Sequence, residues 1–271
     1  MSVGRDNISC RRMRLVQRRG APASAEQIPD SAALRLSHVT KHYQSGIERT
    51  TALNDVSALF PIRSFTAIMG PSGSGKTTLL QCAAGLDTVD EGEIRIGEQN
   101  ITRLSRRELT VLRRNSLGFI FQSYNLIPTL TVRQNVGLPA QLGGIELDRD
   151  HVRAVLRRLG IADLESRLPA DLSGGQQQRA AIARSLLTRP TILFADEPTG
   201  ALDSHASRQV LECLRDAADQ HGQTIVMVTH DPVAASHSDR VMLLKDGCFV
   251  DDLPRSSAQV ISERMTALER D

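Results

Sequence analysis

Apolar residues come in short runs over most of this chain, with stretches of helical spacing between them. The segments ALRLSHVT (33–40), TALNDVSALF (51–60) and SFTAIMG (64–70) combine β-branched and apolar residues between turn-forming breaks, which predicts three successive strands. A helix follows over 77–84, stopped at Gly85, a residue suited to the left-handed cap position. EGEIRIGEQN (91–100) predicts a short hairpin, and Ser105 with Glu108 forms a capping box for a helix reaching about Arg114. LGFIFQ (117–122) reads as a buried strand. From about Ser123 to Asp171 the pattern turns helical, broken by Pro128, Pro139, Gly143–Gly144, Gly160 and Pro169, and this stretch is expected to be a helical insert. Strands return at TILFAD (191–196), TIVMVTH (224–230) and RVMLLKDGCFV (240–250), with a helix over about 204–220 and a two-residue hairpin turn at Asp246–Gly247. Apolar runs alternating with helices predict an α/β fold whose sheet is largely parallel and covered on both faces.

Composition narrows the function by exclusion. A chain of 271 residues suffices for one large domain or two joined ones. Its formal net charge of +2 gives no electrostatic case for nucleic-acid binding, and with no Trp and two Tyr it lacks aromatic platforms for single strands. Cys10, Cys82, Cys213 and Cys248 show no metal-binding spacing and are expected to be reduced thiols. Apolar runs are strand-sized, which predicts a soluble chain without a membrane span. The basic RRMRLVQRR and the small, polar GAPASAEQIPDS predict a disordered tail, solvated, with contact to anionic lipid as the other reading.

GPSGSGKT fits G-x-x-x-x-G-K-[ST] at Gly70, Gly75, Lys76 and Thr77, after a predicted strand and before a predicted helix. In the loop Gly70, Pro71, Ser72, Gly73, Ser74 and Gly75 the glycines let the backbone wrap closely enough to aim successive N–H groups at phosphate oxygens, and the helix N-terminus adds positive potential. In this pattern Lys76 reaches the β- and γ-phosphates, Thr77 coordinates Mg²⁺ and Thr78 donates to the α-phosphate. Asp196 emerges at the C-terminal end of TILFAD, where ligands collect in open α/β sheets, and is placed to hold the Mg²⁺ shell. Glu197, one residue on, is placed to polarise the attacking water.

These motifs, with Gln122 after a strand, LSGGQ at 172–176, DEPTGALD at 196–203 and His230 after a strand, stand in the order seen in ATP-binding cassette (ABC) ATPases, which the chain resembles over roughly residues 33–250. LSGGQ has a physical logic of its own. Ser173, Gly174, Gly175 and Gln176 open a helix, a setting that suits an anion, yet no lysine follows to make it a primary ATP site. The resemblance implies that two chains pack head to tail, each LSGGQ with Asp203 closing on an ATP held by the opposite phosphate loop. It also implies that Tyr43 stacks on adenine, that Gln122 touches Mg²⁺ or the water, and that His230 contacts the γ-phosphate.

DEPTGALD with GFIFQSYNLIPTLTVRQNV resembles the lipoprotein-release, macrolide-export and cell-division group of cassettes. The fold so implied is a P-loop ATPase core with mainly parallel sheet, an N-terminal antiparallel β subdomain and an inserted helical subdomain. The corresponding domains are a basic tail over 1–32, the ATPase domain over 33–252 with its insert at about 123–171, and a C-terminal helical tail over 253–271. The implied function is hydrolysis of Mg-ATP by a homodimer that drives a separate transmembrane permease for export or membrane extraction, from the cytoplasmic face of the membrane. Residues Tyr124–Val136 are the expected permease-facing surface. The alternative is a division-type cassette that regulates a membrane partner without transport.

Overall fold

A computed structural model describes residues 32–45, 48–146 and 148–270, so the basic N-terminal stretch lies outside the described residues. The chain divides into two compact units, one comprising residues up to 61 with 67–102 and from 230 onward, the other 62–66 with 103–229.

In the first unit, β1 (Ala32–Ser45) and β2 (Glu48–Pro61) form an antiparallel pair, and β4 (Glu91–Ile96) and β5 (Gln99–Asn100) extend it in the order β2-β1-β4-β5. The apolar spacing explains the shape of the pair. On β1 the buried positions step from Leu34 and Leu36 to Val39, and on β2 from Phe60, Ala58 and Val56 to Leu53, so each strand needs one extra residue to keep its apolar side inward. Bulges supply it: the register shifts between Leu36 and Val39 and between Val39 and Lys41, with His38 (φ 53) and Asp55 (φ 51) in the left-handed region. The two bulge residues hold each other through His38 Nδ1 and Asp55 Oδ1 at 2.7 Å. β1 therefore runs five residues past the predicted end and carries Tyr43, opposite Thr50.

The same unit contains α1 (Lys76–Ala83), closed by Gly85 at φ 62, and the antiparallel pair β9 (Arg240–Lys245) and β10 (Cys248–Pro254). Their turn has both Asp246 (φ 48) and Gly247 (φ 72) left-handed, as a two-residue hairpin requires. The short helix α7 (Pro232–Ala235) and α8 (Ala258–Arg270) complete it, with Lys245 Nζ donating to the Leu268 carbonyl at 2.7 Å.

The second unit holds α2 (Arg106–Ser116), α3 (Val132–Leu142), α4 (Arg149–Arg158), α5 (Gly174–Leu186) and α6 (Ser204–His221) with β6 (Leu117–Phe121), β7 (Ile192–Asp196) and β8 (Thr224–Val228). The three strands are parallel and level, Phe121 opposite Asp196 and Asp196 opposite Val228. The capping box expected at Ser105 and Glu108 is present at the start of α2. The α/β class read from the sequence is thus the observed one, with an antiparallel sheet and parallel strands among helices. Among the described residues no helix is long and apolar enough to cross a membrane. Among the described residues Cys82 and Cys213 carry free thiols, and Cys10 lies outside the described residues.

Candidate functional site

The phosphate loop runs from β3 (Phe65–Met69), buried along its whole length, into α1. Gly75 is the N-cap of α1 at φ 100 and supplies no side-chain cap, so the first-turn N–H groups are left for an outside acceptor. By contrast α2, α3 and α5 all begin with a capping box. The loop is closely backed: a Cβ on Gly75 would run into the Ala52 carbonyl oxygen, and one on Gly70 into the Leu244 carbonyl. Lys76 Nζ is held over the loop by the carbonyls of Gly70 (2.8 Å) and Pro71 (2.7 Å). Ser72 and Thr77 are exposed and Ser74 is buried, its carbonyl accepting from Gly247 N at 3.1 Å. These features fit a nucleoside triphosphate.

Tyr43 stands on β1 with its hydroxyl donating to Asp87 Oδ2 at 2.7 Å. Burial and this bond raise its pKa, so the phenol keeps its proton. Asp87 also accepts from Lys41 Nζ at 2.9 Å, and Lys41 is buried. Although burial would raise the Asp87 pKa, the bonds from Lys41, Tyr43 and Thr88 outweigh it and hold the carboxyl below its ordinary value. A carboxyl pKa depressed on folding adds stability above the unfolded value, and this is lost as pH falls through the folded one. Nearby, burial chiefly, with the Asp87 charge, pushes the Cys82 thiol up to about 12 and leaves it inert.

At the C-terminal end of β6, β7 and β8 the chain presents Gln122, Asp196 and Glu197. Asp196 and Glu197 are half-buried and Gln122 is exposed. Glu197 has φ 48, a conformation that costs a non-glycine residue about 1–3 kcal/mol. Two backbone bonds fix it, Glu197 N to the Val228 carbonyl at 2.9 Å and Gly200 N to the Glu197 carbonyl at 3.1 Å. Gln122 packs on Gly200, where a Cβ would lie 2.9 Å from Gln122 Nε2. His230 is exposed two residues beyond β8, and Asp203 caps α6 by accepting from His205 N and Ala206 N.

The signature segment opens α5. Ser173 is its exposed N-cap, with its hydroxyl accepting from Gln176 N and the Gln176 side chain accepting from Ser173 N. Capping uses one acceptor site of the hydroxyl and leaves its proton to donate. Gly174 lies against Tyr124, with a Cβ there 2.7 Å from the phenol oxygen, and Gly175 lies against Ala206. Further along α5, Gln178 donates to the Pro198 carbonyl at 2.6 Å and Arg184 donates to the carbonyls of Tyr124 and Asn125, both left-handed.

Sequence reasoning missed Lys41, Asp87, Asn135, Gln178 and Arg184. For Asn135 and Gln178 a signal exists: Asn135 shares the face of the buried Val132 and Val136, and Gln178 that of Ala181 and Ile182. Asn135 accepts from Ile127 N at 2.7 Å and donates to the carbonyls of Ile127, Leu130 and Thr131. Replacing it with Ala leaves the Ile127 N–H and the Leu130 carbonyl without these partners, while the Ile127 and Thr131 carbonyls keep their bonds from Leu130 N and Asn135 N. Asn135→Ala is expected to cost about 2–4 kcal/mol in denaturant unfolding; an unchanged midpoint would show that the loop over 127–131 holds itself.

Mg²⁺ calls for hard oxygen donors and takes one or two from protein beside substrate phosphates. The Thr77 hydroxyl and the Asp196 carboxylate are of that kind, and among the described residues no cluster of three His, Cys, Asp or Glu would hold a metal alone.

Comparison with known proteins places this assembly. The ABC transporter family profile matches residues 53–200. The chain is 42% identical over 218 residues to the bacitracin export ATP-binding protein BceA of Halalkalibacterium halodurans, covering 80% of this chain and 86% of that one. To YxdL of Bacillus subtilis, an ABC transporter ATP-binding protein, it is 41% identical over 86% of this chain and 91% of that one. To the macrolide export ATP-binding/permease protein MacB of Salmonella choleraesuis it is 42% identical over 83% of this chain but 35% of MacB. Among solved structures, the dimeric bacterial cassette MJ0796 matches with a TM-score of 0.75 and 39% identity, over 83% of this chain and 99% of that one. A post-hydrolysis form of MJ0796 bound to ADP and Pi matches with the same score at 38% identity, again over 83% and 99%. The protein belongs to the ABC transporter family and is its ATP-binding, ATP-hydrolysing cassette.

Proposed function

We propose that this cassette pairs head to tail with a second copy around two Mg-ATP and drives a separate membrane permease for export, from the cytoplasmic face. In this reading the loop Gly70–Gly75 and Lys76 hold the β- and γ-phosphates, Thr78 the α-phosphate, and Tyr43 the adenine. Thr77, Asp196 and Gln122 hold Mg²⁺, whose charge offsets that developing on the phosphate oxygens. Glu197 takes a proton from the attacking water, and His230 steadies the γ-phosphate. Ser173, Gly174, Gly175 and Gln176 of one copy, with Asp203, close on the ATP of the other. Export is supported by the names of BceA and MacB, and pairing by the dimeric MJ0796 cassette. A cleft of about 450 Å³ lined by Arg133, Gln134, Gly137, Gln141, Ile145 and Arg149 overlaps the surface expected to face the permease.

The observation that carries the reading is chemical. Two helix N-termini suit an anion, but only that of α1 is followed by a lysine, while that of α5 offers a capped serine with a proton to give. The second completes a site owned by the first. A mixture of Lys76→Ala and Ser173→Arg chains is expected to recover turnover that neither has alone, because in a mixed dimer both defects fall in one pocket and the other is intact. ATPase assays across mixing ratios check this; absence of any recovery counts against a site shared between copies in which one pocket suffices.

A further inference from the structure

We infer that Asp87, braced by Lys41, is a positioning residue for the nucleotide base, because it locks the Tyr43 ring in place relative to the phosphate-binding helix. The inference rests on Tyr43 as the adenine platform, proposed above. Tyr43 is 40% exposed, and an exposed aromatic on a strand near a hairpin end ordinarily samples several rotamers. Here it is pinned. Its hydroxyl meets Asp87 Oδ2 at 2.7 Å. Asp87 lies just past the end of α1, tied back to it by Asp87 N donating to the Gln81 carbonyl at 3.3 Å. The ring is thus fastened, through Asp87, to the far end of the helix that opens at the phosphate loop, and the base-to-phosphate span is set before a nucleotide arrives.

Lys41 keeps the anchor from swinging. Its ammonium donates to Asp87 Oδ1 at 2.9 Å and to the Thr88 carbonyl at 2.6 Å, while Thr88 N donates to the same Oδ1 at 2.7 Å. The ammonium also lies 5.1 Å from the Tyr43 ring centroid, over one face, so that the base takes the other. A platform ordered in advance spares the ligand the cost of ordering it, which for one such side chain corresponds to about a 3- to 10-fold gain in affinity.

The test compares the binding of Mg-ATP and of inorganic tripolyphosphate with Mg²⁺ to the full chain, by calorimetry. Tyr43→Phe, which removes one hydroxyl and keeps the ring, is expected to raise the Kd for ATP about 3- to 10-fold and leave that for tripolyphosphate unchanged. Asp87→Ala should do the same, the double variant no more than either alone, and Asp87→Asn, which keeps an acceptor for the phenol, should restore most of the loss. Asp87→Ala also leaves the buried Lys41 without its carboxylate, so Tyr43→Phe is the decisive variant if that chain misfolds. An ATP Kd unchanged in Tyr43→Phe but raised in Tyr43→Ala overturns the tether and leaves the platform standing. An ATP Kd unchanged in Tyr43→Ala removes the platform itself. Equal losses for both ligands would mean that the phosphate loop, not the ring, was disturbed, and would overturn the inference as well.

Discussion

Replacing Glu197 with Gln is expected to slow ATP turnover by about 10²- to 10⁴-fold, the range over which a positioned general base acts. Binding of ATP should be untouched and two copies should stay joined while ATP lasts. The backbone makes this a clean substitution. Glu197 is held at φ 48 by its own N–H and carbonyl, bonded to Val228 and Gly200, so the backbone that carries the side chain is fixed by bonds the substitution leaves in place. Glutamine fills the same volume but cannot take the proton from water. Single-turnover hydrolysis together with light scattering at saturating Mg-ATP reads both effects. Unslowed hydrolysis would remove Glu197 from the proton transfer, and a chain that stays monomeric with ATP unhydrolysed would contradict the paired arrangement.

The second large effect is expected from Gly75→Ala. An L-residue at φ 100 carries about 1–3 kcal/mol of strain, and its Cβ would collide with the backbone oxygen of Ala52 on β2, which has no rotamer to retreat into. The loop must shift, and losing two charge-assisted bonds to phosphate at about 1.5–3 kcal/mol each weakens ATP binding by about 10²- to 10⁴-fold. Gly73→Ala is the control. Gly73 is also left-handed, at φ 79, but a Cβ there meets nothing within 4 Å, so only the conformational strain remains. Calorimetric titration of both variants with Mg-ATP separates the collision from the strain; equal losses would show that the contact with Ala52 is immaterial.

Much of the fold could be read because burial imposes a period on each element. Leu34 and Leu36, the run TILFAD, and the turn at Asp246–Gly247 announce themselves by spacing and by residue type. What could not be read is where the period slips. The step from Leu36 to Val39 is visible in the letters, but the bulge that explains it needs a partner strand slipping in compensation at Asp55, and only the paired structure shows that. The same holds for the candidate site. Gly75, Lys76, Ser173 and Asp196 could be named because local chemistry demands those residues at those intervals. Asp87 could not, since it acts on Tyr43 from 44 positions away, and an aspartate after a helix reads as ordinary surface. Arg184 and Gln178 hide for the same reason: each spends its donors on distant carbonyls, a use that leaves no local pattern.

α5 has a mechanical corollary. It is one unbroken rod of 13 residues, roughly 20 Å long, that begins at the Ser173 cap and grips the peptide oxygens of Tyr124 and Asn125 about three turns later through Arg184. A helix is stiff along its axis, so a tilt imposed at either extremity is felt at the other without any relay of side-chain rearrangements. Motion at the tip of this lever and motion of the segment just after Gln122 are therefore one degree of freedom, not two.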